Sequence, residues 1–130
     1  MKIELYYLLL VTALTGLLWI PYIIDRVMVR GLMDAVGYPA NEKPQSPWAQ
    51  RMMKAHYNAV ENLVVFAPLV LLAQAMGVTN AMIGTACMVY FWTRVVHAAA
   101  YTFGVPWVRT LSFTVGFCCQ AVIAWQLMPR

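Results

Sequence analysis

Apolar residues fall in four long runs separated by short polar breaks and one long one. From Leu5 to Ile24 no charge interrupts about twenty positions. At about 1.5 Å per helical residue that reaches about 30 Å, one hydrocarbon core. Pro21, near the end of the run, predicts a kink. The stretch from Asp25 to Gln50 is different. It holds Asp25, Arg26, Arg30, Asp34, Glu42 and Lys43 among Gly31, Gly37, Pro39, Pro44 and Pro47, and reads as the one extended polar loop. A second helix opens at Ser46-Pro47, an N-cap residue followed by proline at the first helical position. It runs to about Met76, where Gly77 ends it. Only from Asn62 onward is it uncharged, so its turns through Glu61 project from the bilayer or line a polar cavity. The third helix starts near Asn80 and continues to about Phe103, before Gly104 and Pro106. The fourth runs from about Pro106 to Met128 and stops at Pro129.

Short links between helices two, three and four force antiparallel neighbours. The pattern therefore predicts an all-α, integral membrane four-helix up-down-up-down bundle. A single transmembrane domain covers 1–130, with spans at about 5–29, 47–76, 80–103 and 106–128 and both termini on one side.

Composition agrees. The chain has 130 residues, 62% hydrophobic and 11% charged, with a net charge of +4. Soluble domains carry roughly 25% charged residues, so a polar coat cannot be built here and the apolar surplus faces lipid. Lys2 before an apolar run imitates a secretory leader. Glu4 spoils the basic flank, however, no small-residue cleavage site follows, and the run is too long, so the first helix is expected to be retained. Cys87, Cys118 and Cys119 form no CxxC pair and sit in apolar stretches, as buried or lipid-facing thiols do. Nothing in the sequence supports a metal or nucleic-acid role.

Basic residues set the orientation. Arg26, Arg30, Lys43, Arg51 and Lys54 cluster in and around the first loop, and Arg94 and Arg109 fall toward the same face. Lys2 and Arg130 alone mark the other. The positive-inside rule places the long loop in the cytoplasm and both termini outside.

Charges inside membrane helices cost about 2.5 to 3.5 kcal/mol each at the bilayer centre. Those here sit nearer the ends of the spans, yet still require partners or water. At about 100° per residue, Arg51, Lys54, Asn58 and Glu61 share one face of the second helix, with Asn62 close by and His56 pointing elsewhere. Tyr90, Arg94, His97 and Tyr101 form a second stripe on the third helix, and Arg109 lies level with both. Two readings stand side by side. Glu61 with Arg94 can be a buried ion pair locking two helices, while Arg51 and Lys54 snorkel to headgroups. Alternatively, the set is a cationic pocket in which Glu61 and Arg94 lie close together or share one ligand. Such a pocket suits a small, multiply charged molecule: cations for carboxylates, Glu61 for an ammonium group, Asn58 for an amide. A tripeptide thiol such as glutathione has those groups, and Arg109 or a tyrosine would favour its thiolate.

The run Arg51-Met-Met-Lys54-Ala-His56-Tyr-Asn58-Ala-Val-Glu61-Asn62 resembles the second-helix signature of the MAPEG family, the membrane-associated proteins in eicosanoid and glutathione metabolism. Tyr90-Phe-Trp-Thr-Arg94-Val-Val-His97-Ala-Ala-Ala-Tyr101 looks like that family's third helix, and Pro106-Trp-Val-Arg109-Thr110 like the start of its fourth. The resemblance covers essentially the whole chain and is nearest to bacterial-type members akin to microsomal glutathione transferases. It implies a homotrimer in a bacterial inner membrane, with sites at subunit interfaces and glutathione as co-substrate. By the family pattern Lys54, Asn58, Glu61, Arg94 and Tyr101 bind glutathione, and Arg51, His56 and His97 occupy motif positions. An arginine late in the first helix, Arg30 in preference to Arg26, joins from the neighbouring subunit. Arg109 is the expected thiolate stabiliser, with Tyr101 beside it. Thr110 stands where the prostaglandin synthase branch has a serine. There are departures: Lys54 replaces an arginine common in the family, losing a bidentate carboxylate grip, and His97 stands where the leukotriene synthase branch has tyrosine.

The implied activity is a glutathione transferase or peroxidase acting on lipophilic electrophiles that enter from the bilayer. The rival reading is a non-catalytic membrane protein of the same fold that binds lipid or a partner. A small four-helix drug exporter needs a carboxylate deep in the first helix, and Leu5 to Ile24 has none.

Overall fold

A computed structural model describes residues 1–129. Arg130, counted above in the charge asymmetry, lies outside the described residues. The chain is all-helical: α1 (Ile3–Leu17), α2 (Trp19–Arg30), α3 (Leu32–Val36), α4 (Pro47–Met76), α5 (Ala81–Phe103) and α6 (Pro106–Leu127).

The first predicted helix is thus two. The break falls at Leu18, three residues before Pro21. Proline has no N–H to offer the Leu17 carbonyl, and its ring crowds that carbonyl, so the fault appears in the preceding turn. The predicted loop also contains the single turn and a half of α3, whose side chains are largely exposed.

Helix ends follow the expected chemistry with one correction. Gly77 and Gly104 close α4 and α5 in the left-handed conformation, at φ 69° and 74°, which costs glycine no Cβ clash. Asn80 caps α5, its Oδ1 accepting from Ile83 N at 2.9 Å. Ser46 holds the N-cap position of α4 but makes no side-chain cap. Its hydroxyl donates instead to Asp25 Oδ1 at 2.5 Å. Buried Asp25 also accepts from Ser46 N at 3.1 Å and Gln45 Nε2 at 3.3 Å, and Gln45 Nε2 donates to the Tyr22 carbonyl at 2.7 Å. The end of the long loop is thereby pinned to α2.

α5 packs against α1, α4 and α6, and its buried positions Ile83, Cys87, Tyr90, Arg94 and His97 alternate four- and three-residue steps, the seam of a helix enclosed by neighbours. Ile83, Cys87 and Tyr90 join Val11, Phe66, Val70, Cys119, Ile123 and Leu127 in the apolar core. Phe66 stacks on Tyr90 with centroids 3.8 Å apart. Gly116 lets α6 approach closely: a Cβ there would lie 3.2 Å from Thr93 Oγ1. Ile3–Arg30, Pro47–Met76 and Pro106–Leu127 are long and apolar enough to cross a membrane. α5 has the length but carries Arg94 and His97, which the other helices shelter. Leu9, Leu17, Val64, Leu71, Leu111 and Phe117 remain exposed as lipid-facing surface. At the end opposite Arg94, Glu4 is 2% exposed and accepts from Thr79 Oγ1 at 2.7 Å, so this residue is an interior carboxylate as well as a flank to an apolar run.

Candidate functional site

α4 and α5 meet through their polar stripes, but only part of each stripe meets. Around α4, taking about 100° per residue, Arg51, Asn58 and Asn62 point within about 20° of one direction, and that direction faces α5 and α6. Lys54 and Glu61 lie about 60° to 80° to one side and are exposed. Glu61 forms no ion pair with Arg94 among the described residues, where the one salt bridge joins Arg30 and Glu42. His56 points to the opposite side, its Nδ1 2.7 Å from the Tyr22 hydroxyl on α2.

Arg94 is the centre of the assembled part. It is 3% exposed. Its Nη2 donates to Asn58 Oδ1 at 2.7 Å and lies 3.3 Å from His97 Nδ1. A guanidinium only donates, so Nδ1 accepts and the His97 proton sits on Nε2. Nε and Nη1 of Arg94 are buried without any hydrogen-bond partner. The other such side-chain nitrogen among the described residues is Gln74 Nε2, near the far end of α4. From His97 the polar line continues outward. Its ring meets Tyr101 edge-on at 5.6 Å, and the Arg109 guanidinium carbon lies 5.0 Å from the centre of the Tyr101 ring, within cation–π range. Arg51 Nε donates to the Thr102 carbonyl at 2.9 Å, satisfying one of the last carbonyls of α5. Arg51, Tyr101, Gly104, Pro106 and Arg109 line a cavity of about 120 Å³, while Thr110 is exposed beside it.

Arg30 is elsewhere. Its Nε donates to the Lys43 carbonyl at 2.8 Å and its Nη2 lies 3.6 Å from Glu42. With Arg26, Gln45, Gln50 and Met53 it lines a separate cavity of about 470 Å³ between α2, the loop and α4. Within the chain, then, Asn58, Arg94, His97, Tyr101, Arg109 and Arg51 form one connected group. Lys54 and Glu61 border it, and Arg30 and His56 stand apart.

Two further residues, Asn62 and Gln120, attach to this group through Asn58 and carried little or no weight in the sequence reading. Asn62 Nδ2 donates to the Asn58 carbonyl at 2.8 Å and to Asn58 Oδ1 at 3.2 Å. Gln120 of α6 donates from Nε2 to the Asn62 carbonyl at 3.1 Å. The available signals were the four-residue spacing from Asn58 to Asn62 and an amide, Gln120, in the middle of the apolar run of α6.

No curated protein matches the chain. The MAPEG family model matches residues 8–128, nearly the whole length, and on that match this integral membrane helical bundle belongs to the MAPEG family.

Proposed function

We propose that the protein is a membrane-bound glutathione transferase or peroxidase that conjugates or reduces lipophilic electrophiles, working as a homotrimer in a bacterial inner membrane with the long loop in the cytoplasm. Arg94 carries the reading: a buried guanidinium with two unpartnered donors and no carboxylate beside it. Leaving a buried charge uncompensated costs several kcal/mol, and an anionic ligand relieves that cost. Glutathione brings two carboxylates, two amides and an ammonium group. Asn58 and Arg94 meet its polar backbone, and Arg51 and Lys54 meet its carboxylates. Exposed Glu61 receives the ammonium group. Tyr101 and Arg109 stabilise the thiolate, whose sulfur attacks the electrophilic carbon and displaces its leaving anion. With a hydroperoxide it attacks the outer oxygen, the O–O bond breaks to give the alcohol, and a second glutathione thiol releases water and the disulfide. His97 supports the site through Arg94, and His56 fixes α4 to α2 through Tyr22. The open flank of α4 that bears Lys54 and Glu61 is where a second copy would dock, bringing its Arg30. An apolar groove of about 390 Å³ between α5 and α6, lined by Trp92, Val96, Val108 and Leu111, opens to the bilayer near Arg109 and suits a lipophilic second substrate.

The test is a thermal-shift and calorimetric screen of purified protein in mild detergent against glutathione, its S-alkyl analogues and lipids. Ligand at a hundredfold excess over its Kd stabilises by about 2.7 kcal/mol. Glutathione is expected to raise the unfolding temperature in wild type and to do so far less in Arg94→Leu. A response to lipids with none to glutathione would replace this reading with that of a non-catalytic lipid-binding member of the fold.

A further inference from the structure

Two hydrogen bonds to Oδ1 set which way the Asn58 amide points, and two more, to the main-chain carbonyls of Asn58 and Asn62, hold the Asn62 donor and its turn of α4 in place. Arg94 Nη2 only donates, so the Asn58 atom 2.7 Å away is its carbonyl oxygen. The Asn58 main-chain carbonyl only accepts, so the Asn62 atom 2.8 Å away is its amide nitrogen. That same nitrogen sends its second hydrogen to Asn58 Oδ1 at 3.2 Å. Gln120, 5% exposed, holds the Asn62 carbonyl from α6. Asn58 Oδ1 therefore receives two donors, from α5 and from its own helix. Among the described residues its NH₂ group has no hydrogen-bond partner, and it points away from both donors.

We propose, resting on the glutathione reading for the ligand, that Asn62 is a positioning residue. With Gln120 behind it, Asn62 holds the Asn58 side chain so that the site offers a fixed pair of N–H donors to a carbonyl or carboxylate oxygen of the bound peptide. Without the Asn62 donor, Oδ1 keeps only the Arg94 bond, and the amide can rotate about that single contact. The site then loses a preorganised donor rather than a charge. The residue that sorts acceptor-bearing ligands from others thus lies one helical turn away from the residue that touches them.

The experiment uses the full-length protein in detergent or nanodiscs with ¹⁵N-labelled asparagine side chains. The Asn58 NH₂ signal is assigned by its loss in Asn58→Asp. In ligand-free protein, Asn62→Leu is expected to remove the Asn62 signal and to move or broaden that of Asn58 while the Asn41 and Asn80 signals stay in place. The same variant is expected to raise the glutathione Kd about tenfold, the scale of one hydrogen bond to a buried group, with little change in thiolate titration. Asn58→Asp provides a second route if Asn62→Leu folds poorly. It keeps an acceptor for Arg94 and Asn62 but turns an oxygen outward, and is expected to weaken glutathione at least tenfold while retaining wild-type thermal stability. An Asn58 signal unmoved in Asn62→Leu overturns the positioning role. So does unchanged affinity in either variant. If wild type itself fails to bind glutathione, the functional proposal falls, and the ligand-free Asn58 signal still decides whether Asn62 orients that amide.

Discussion

Arg109 and Asp25 are both charged residues at the loop-side end of the bundle, yet they serve different ends. Asp25 is surrounded by donors from Gln45 and Ser46 and has no room for a ligand. Its task is to hold the loop. Asp25→Ala takes the acceptor from three donors, Gln45 Nε2, Ser46 N and Ser46 Oγ, and is expected to destabilise the protein by about 2 kcal/mol or more, read as a lower unfolding temperature with glutathione affinity affected only secondarily. Arg109 is half-exposed, leaning on Tyr101 over a small cavity. A guanidinium stays charged at any working pH and can stabilise a thiolate without titrating itself. If it supplies about 3 kcal/mol, removing it shifts the thiol ionisation curve of bound glutathione upward by about two pH units. In Arg109→Ala, thiolate absorbance against pH should show that shift with binding retained. An unchanged curve would transfer the role to Tyr101 or end the claim of catalysis.

Among the elements, most helix ends could be read from glycine and proline, because each acts on the backbone through its own covalent geometry. Other features depend on partners distant in sequence. Ser46 looks like a cap until Asp25, twenty-one residues earlier, competes for its hydroxyl. The α4 stripe looks like one face because its members span less than a quarter-turn. A neighbouring helix covers only part of that arc, so Asn58 turns inward while Lys54 and Glu61 stay outside. The α5 stripe was more legible, since Tyr90, Arg94 and His97 lie in a buried seam and half-buried Tyr101 continues its spacing. Gln120 continues the four-residue spacing of buried Ser112 and Gly116, small residues that read as helix packing and not as a site. The break at Leu18 is a displaced effect of Pro21, and it is testable. Pro21→Ala restores a donor to the Leu17 carbonyl and removes a residue about 3 kcal/mol poorer than alanine inside a helix. Spin labels at exposed Leu9 and Met28 are expected to report one narrower distance distribution in the variant.

For the molecule as a whole, the distribution of basic residues carries the orientation. Reporter fusions at Lys43 and at the C-terminus are expected to mark opposite sides of the membrane, and the same side for both would refute the topology. Native mass spectrometry in mild detergent is expected to give a trimer. A stable monomer would leave Lys54 and Glu61 facing lipid, a costly place for charge.

The contact between Glu4 and Thr79 joins residues 75 positions apart, and this has a consequence for biogenesis. When α1 first enters the bilayer, the hydroxyl that will receive Glu4 has not yet been synthesised. The carboxylate must wait at the headgroup boundary, and α1 can settle to its final depth only after α4 has crossed and the turn before α5 has emerged from the ribosome. A nascent chain stopped at Met76 would therefore carry a first helix that is inserted but not seated, exposed to the quality-control proteases of its membrane. Only a chain that has also released α5, which packs against α1, can close its first helix into the bundle.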